Sequence, residues 1–160
     1  MKTLLKNAFT AWPFCLATYV GLIGMTWLLL SSGRFAQVDI PVTLCDSRLA
    51  AEAQAHMAAV KLGATVFAVT DTGSMRPALQ GGDFVVTRRD ALADVKAGDV
   101  LIYRATWRPT GANLVIHRAV QKDSHGWIMS GDSAPHSESF ARVTEANYHG
   151  RVIPPVFRAR

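Results

Sequence analysis

The chain has 160 residues, 17 Lys and Arg against 12 Asp and Glu, 49% hydrophobic residues and a formal net charge of +5. That length fits one globular domain with an appended element, and only 18% of residues are charged, too few for a disordered chain. No basic run exceeds the pair Arg88-Arg89, which argues against a nucleic-acid interface, and the two cysteines, Cys15 and Cys45, cannot build a disulfide scaffold or a zinc site.

Residues 8–30 form a run of 23 without a charge. A transmembrane helix needs about 20 mostly apolar residues, whereas the apolar core of a cleaved leader spans only about 7–15. The run therefore reads as a retained anchor over residues 1–33 rather than a leader ending near Ser31-Ser32-Gly33 or a buried core helix. Trp12 and Trp27 suit the two interfaces, and Pro13 falls in the first helical turn. Lys2 and Lys6 precede the run with no acid beside them, so the N-terminus is expected on the cytoplasmic side and the rest outside.

Residues 34–45 read as a juxtamembrane linker. Asp46 or Ser47 can cap a helix that runs to Leu62, with Gly63 as its stop. This stretch is Ala-rich, and Leu49, Ala53, Met57 and Val60 recur at helical spacing, which gives a narrow apolar stripe with His56 beside it; the helix could pack on the β domain or lie along the membrane.

After Gly63 the pattern changes to short β-branched runs separated by Gly and Asp turns. Strands are expected at 65–70, 83–87, 100–103, 114–116, 126–129 and 148–153, the last stopping before Pro154-Pro155. Such spacing indicates a small all-β barrel or sandwich over 64–160. The expected organisation is thus a membrane anchor at 1–33, a linker and Ala-rich helix at 34–63, and a mainly β domain.

The segment Thr72-Gly73-Ser74-Met75-Arg76-Pro77 is the most informative for chemistry. A nucleophilic serine needs exposure, a base, and donors for a developing oxyanion. The Ser74 backbone N–H and the Thr72 hydroxyl are candidate donors. Of the five histidines, His125 and His149 precede glycines in turns, His136 lies in a polar loop, and His56 sits on the helix. His117 differs, because it ends an apolar run. A buried packing histidine is the ordinary reading of such a position, and Lys122 is the other nearby candidate base. Lys122 would need burial to act, and its neighbours Gln121 and Asp123 are polar.

Four segments in order resemble the boxes of the type I signal peptidases, membrane-bound serine proteases that remove leader peptides from exported proteins. They are Ser74-Met75-Arg76-Pro77-Ala78-Leu79, Gly82-Asp83-Phe84-Val85-Val86, Gly98-Asp99-Val100-Leu101-Ile102-Tyr103, and Ile116-His117-Arg118-Ala119-Val120 with Ser130-Gly131-Asp132-Ser133. The resemblance implies Ser74 as nucleophile. It implies His117 as base, in the manner of the histidine-type members of the endoplasmic reticulum and archaea. Thr72 matches the position of a hydroxyl that assists the oxyanion hole. By the same resemblance Glu138, with Asp132 as competitor, is the acid that orients the imidazole, and Ser137 stands where an acid is usual. The substrate would be a signal-peptide-bearing preprotein bound as an extended strand, with Phe67, Val69 and Met75 helping to form shallow pockets. The expected partners are these preproteins and the lipid bilayer, and no metal or cofactor is implied.

Two departures from the family stand out: more than 40 residues separate the apolar run from the serine box, and no second β domain is inserted. Three other readings fit parts of the pattern. A self-cleaving repressor-type protease shares a Ser-Met-type box but carries a DNA-binding element and no anchor. An inactive tethered β domain would bind peptides or proteins. A processing peptidase with a narrow client set would share all four boxes.

Overall fold

A computed structural model of the chain describes residues 39–105, 114–133 and 138–160, with side chains for all of these but 138–140. The apolar run at 8–30, and with it the expected anchor, lies outside the described residues, as do His136 and Ser137. Among the described residues no helix is long and apolar enough to cross a membrane.

The fold is mainly β. Among the described residues its strands are β1 (Val42–Cys45), β2 (Thr65–Ala68), β3 (Phe84–Arg88), β4 (Val100–Arg104), β5 (Leu114–Asp123), β6 (Gly126–Ser130), β7 (Glu138–Val143) and β8 (Tyr148–Ala159), with an α-helix, α1 (Arg48–Leu62), between β1 and β2 and a single 3-10 turn at Leu92–Asp94. They form one sheet in the order β2-β3-β8-β4-β5-β6-β7, and β1 adds to β8 in parallel. The sheet curls into a half-barrel.

Local signals set the helix. The Ser47 hydroxyl accepts the Ala50 N–H at 3.1 Å, satisfying one of the unpaired first-turn donors. Gly63 closes the other end at φ +59°, a left-handed conformation that favours glycine. The buried face is not the apolar stripe. Ala51, Ala55 and Ala59 pack against Cys45, Phe84, Val86 and Phe157, because short side chains let the helix approach the sheet closely. Leu49, Ala53, Met57 and Val60 point outward instead.

Pairing across long sequence separations accounts for the other differences from expectation. Residues 42–45, read as linker, form β1, whose partners Val156 to Ala159 are more than a hundred positions away. The last strand does not stop at residue 153. Pro154 and Pro155 lack an N–H, but they fall at a register irregularity between the pairs Val86–Ile153 and Phe84–Phe157, where no ladder bond is lost. β8 therefore continues and serves β3, β4 and β1 in turn. β5 extends through His117 to Asp123, so His117 lies within a strand rather than at its end. β7 was not among the expected strands; it pairs to β6.

Three apolar clusters fill the two sides of the curled sheet. One joins Leu101, Tyr103, Ala119, Trp127, Met129 and Val143; a second contains Met75, Leu79, Val85, Ile102, Val152 and Val156; the third is the helix layer. Arg88 and Arg151 share Asp90 at 2.6 and 2.7 Å, tying β3 to β8. Hydrogen bonds from Arg88, then Arg151, hold the Asp90 carboxyl below its ordinary range. The native state thus favours the carboxylate, so this link stabilises at neutral pH and is lost as pH falls through the lowered value.

Candidate active site

The serine box is a turn tied to the sheet at several points. Gly73 takes φ +73°, which turns the chain just before Ser74. Arg76 N–H bonds to Gly73 O at 3.2 Å and Leu79 N–H to Met75 O at 2.9 Å, and Met75 and Leu79 anchor the turn in the core. From the other side, Ser133 N–H donates to Ser74 O at 2.9 Å, and the Ser133 hydroxyl donates to Gly73 O at 2.5 Å.

The base arrives from β5. His117 pairs with Leu101 of β4, and its ring is almost fully buried. Its Nε2 lies 3.2 Å from Ser74 Oγ, although 43 positions separate the two in sequence. Thr72 Oγ1 lies 3.1 Å from the same Ser74 oxygen. On the far side of the ring, the Tyr103 hydroxyl lies 3.2 Å from His117 Nδ1, and Tyr103 is fully buried. A Cβ at Gly131 would fall 2.7 Å from Ser74 O and 3.4 Å from His117 Nε2, so only glycine lets this strand end pass the pair. With the ring proton on Nδ1, facing the Tyr103 oxygen, Nε2 is the acceptor for the Ser74 hydroxyl.

Asp132 does not orient His117. Both of its oxygens accept from Arg118, at 2.8 and 2.7 Å, and Arg118 also donates to Gly98 O at 2.8 Å. The pair is a structural fastener between β5 and the segment that carries Gly131 and Ser133. The two preceding Gly-Asp pairs behave alike. Asp83 accepts two bonds of 2.7 Å from Arg158 and one of 2.8 Å from Gln80 N–H. Asp99 accepts from Lys96 N–H at 2.9 Å and from Arg151 at 3.4 Å. In all three the aspartate binds an arginine on another strand; Gly82 and Gly98 take the left-handed conformation of a turn, whereas Gly131 is set by its close approach to Ser74. Glu138 is placed on β7 opposite Met129; its side chain lies outside the described residues.

Phe67 and Val69 line a cleft of about 190 Å³ with Thr70, Val85, Ile102 and Ile116. Its walls lead along the chain toward the pair, from Val69-Thr70 to Thr72 and Ser74 and from Ile116 to His117. Met75 is not on this wall; it is buried under the serine turn with Leu79 and Val85. Lys122 is exposed near the outer end of β5, with its ammonium 5.9 Å from the Trp127 ring centroid, and is not part of the cluster. His56 and His125 are also exposed. Among the described residues no group of His, Cys, Asp and Glu could hold a metal ion.

Sequence reasoning missed Tyr103 and Ser133. Tyr103 is two positions from Leu101, the partner of His117, and therefore shares its face of the sheet. Strand alternation supplies that signal only once the β4–β5 register is known. No family model, curated protein or solved structure matches this chain.

Proposed function

We propose that this chain is a serine endopeptidase that removes leader peptides from exported proteins, with Ser74 as nucleophile and His117 as general base. The observation that carries this reading is the 3.2 Å approach of Ser74 Oγ to His117 Nε2 beside a small apolar cleft. The four sequence boxes supply the substrate class.

In this mechanism an extended peptide lies between the 67–70 and 114–116 segments. Its scissile carbonyl meets Ser74 Oγ as the hydroxyl proton passes to Nε2. The C–N bond breaks when His117 returns that proton to the leaving amine, and a water molecule, activated by the same nitrogen, releases the acyl group. The Ser74 N–H and the Thr72 hydroxyl receive the developing oxyanion; a donor in such a place is typically worth about 2.7–4 kcal/mol. The cleft is small, about 190 Å³, which suits small side chains near the cut.

The test is cleavage of a synthetic peptide spanning a leader–mature junction by the purified full chain, with products identified by mass. Cutting at one bond after a small residue is expected, and an intact peptide would refute the reading. Tyr103→Phe offers a second test. It removes one hydroxyl and keeps the ring in its packing. A hydrogen bond of this kind is worth about 1 kcal/mol, so kcat should fall roughly fivefold with KM unchanged. A change in KM alone would place Tyr103 in substrate binding instead.

A further inference from the structure

Among the described residues, six of the seven large hydrophobic side chains that are exposed lie between Val42 and Leu62, in β1 and α1. Three of them, Leu49, Met57 and Val60, are 76%, 59% and 83% exposed, and they form one stripe with exposed Ala53. At about 3.6 residues per turn this stripe lies on the side of α1 opposite Ala51, Ala55 and Ala59, which are sealed against the sheet. The helix therefore has two apolar faces, and the protein's own core covers one. A helix apolar on both sides calls for a second apolar environment.

The sequence indicates what that environment is. The uncharged run of 23 residues is long enough to span a bilayer, and it ends at Leu30, only 17 residues before α1 begins at Arg48. With that run across the bilayer, the tether keeps α1 within roughly 60 Å of the membrane, at about 3.5 Å per residue, and so within reach of its surface. With 15 residues α1 is too short to cross a bilayer and can only lie along it. Lys61, exposed in the last turn, can meet anionic headgroups, while Arg48 lies over the Phe84 ring on the sheet side.

We propose that the outward face of α1 rests in the interface of the lipid bilayer, with Leu49, Met57 and Val60 among the upper acyl chains. The surface commits the domain to one orientation. β2 carries Val66 toward α1 and Phe67 toward the cleft, so α1 and the sheet both lie between the cleft and the lipid. The inference does not require the peptidase activity.

The test uses the full chain with Cys15→Ser and Cys45→Ala, carrying an environment-sensitive fluorophore at Val60→Cys or, as a control, at Ser124→Cys on the exposed β5–β6 turn. The chain is reconstituted in phosphatidylcholine–phosphatidylglycerol vesicles. Brominated lipid should quench the label at 60 several-fold more than the label at 124, and aqueous iodide should show the reverse order. Met57→Cys repeats the measurement if the first variant does not fold. Equal iodide quenching at 60 and 124 would overturn the proposal. So would disulfide-linked pairing of Val60→Cys chains in the vesicles, which would make a second copy the occupant, or failure of the chain to co-sediment with vesicles at all.

Discussion

Ser74→Ala should reduce leader-peptide cleavage by about 10⁴–10⁶-fold, to the level that binding and oxyanion donors alone sustain. His117→Ala should cost a comparable amount. The double variant should be little worse than either, because the two groups perform one proton transfer and their effects do not add. Lys122→Ala is the informative control. A lysine general base must be desolvated to bring its pKa near neutrality, whereas Lys122 is exposed and lies over the Trp127 ring. Its removal should leave the rate within about twofold, as for surface changes away from a site. Rates on a junction peptide, followed by mass and paired with a thermal melt of each variant, decide the matter. Loss of activity in Lys122→Ala with retention in His117→Ala would move the chain to the lysine mode. Ser74→Ala should hardly lower stability, because Ser74 lies in a loop. His117→Ala opens a cavity at a buried site and removes the Nδ1 partner of the Tyr103 hydroxyl, so its rate is taken per folded molecule.

What could be read from the sequence was what depends on near neighbours. Ser47 and Gly63 delimit α1 because caps act within a single turn, and glycine-led β-branched runs announced most strands. The misses are of another kind. β1 and the far half of β8 exist because they pair with each other across the length of the domain, and nothing local in Val42–Cys45 distinguishes that from a linker. The inner face of α1 was not legible, because hydrophobicity ranks Leu49 and Val60 above alanine, while close packing on a sheet selects the smallest side chain. At the candidate site, the residues alone left Ser74 and His117 as separate prospects and only the family resemblance paired them; their approach depends on the β4–β5–β6 register. Tyr103 was read only as part of a strand, and its place 3.2 Å from His117 Nδ1 follows from the β4–β5 register. Arg118 and Asp132 were both in view, yet their pairing is a fact of strand geometry.

That pairing gives the largest expected effect on stability. Arg118 and Asp132 are 5% and 4% exposed and joined by two hydrogen bonds. Asp132→Ala would leave the guanidinium buried with Gly98 O as the remaining partner shown for it, and removing one member of a buried ion pair costs about 3–5 kcal/mol. That approaches the whole stability of many domains of this size, so the variant should be largely unfolded at physiological temperature. Replacing both, as Arg118→Met with Asp132→Leu, removes the uncompensated charge and should recover most of the loss, because apolar pairs of similar volume often match a buried ion pair. Asp132→Asn separates fastening from catalysis. If Asp132 held the His117 tautomer, the folded Asn variant would lose about 10⁴-fold in kcat, as an orienting acid does when made neutral. In the present geometry its carboxylate is spent on Arg118, and the segment it fastens carries Gly131 and Ser133 against Ser74. Denaturant titration should therefore show a marked loss of stability in Asp132→Asn, while kcat per folded molecule stays within about tenfold of the parent. A stable variant with abolished turnover would return Asp132 to the catalytic machinery.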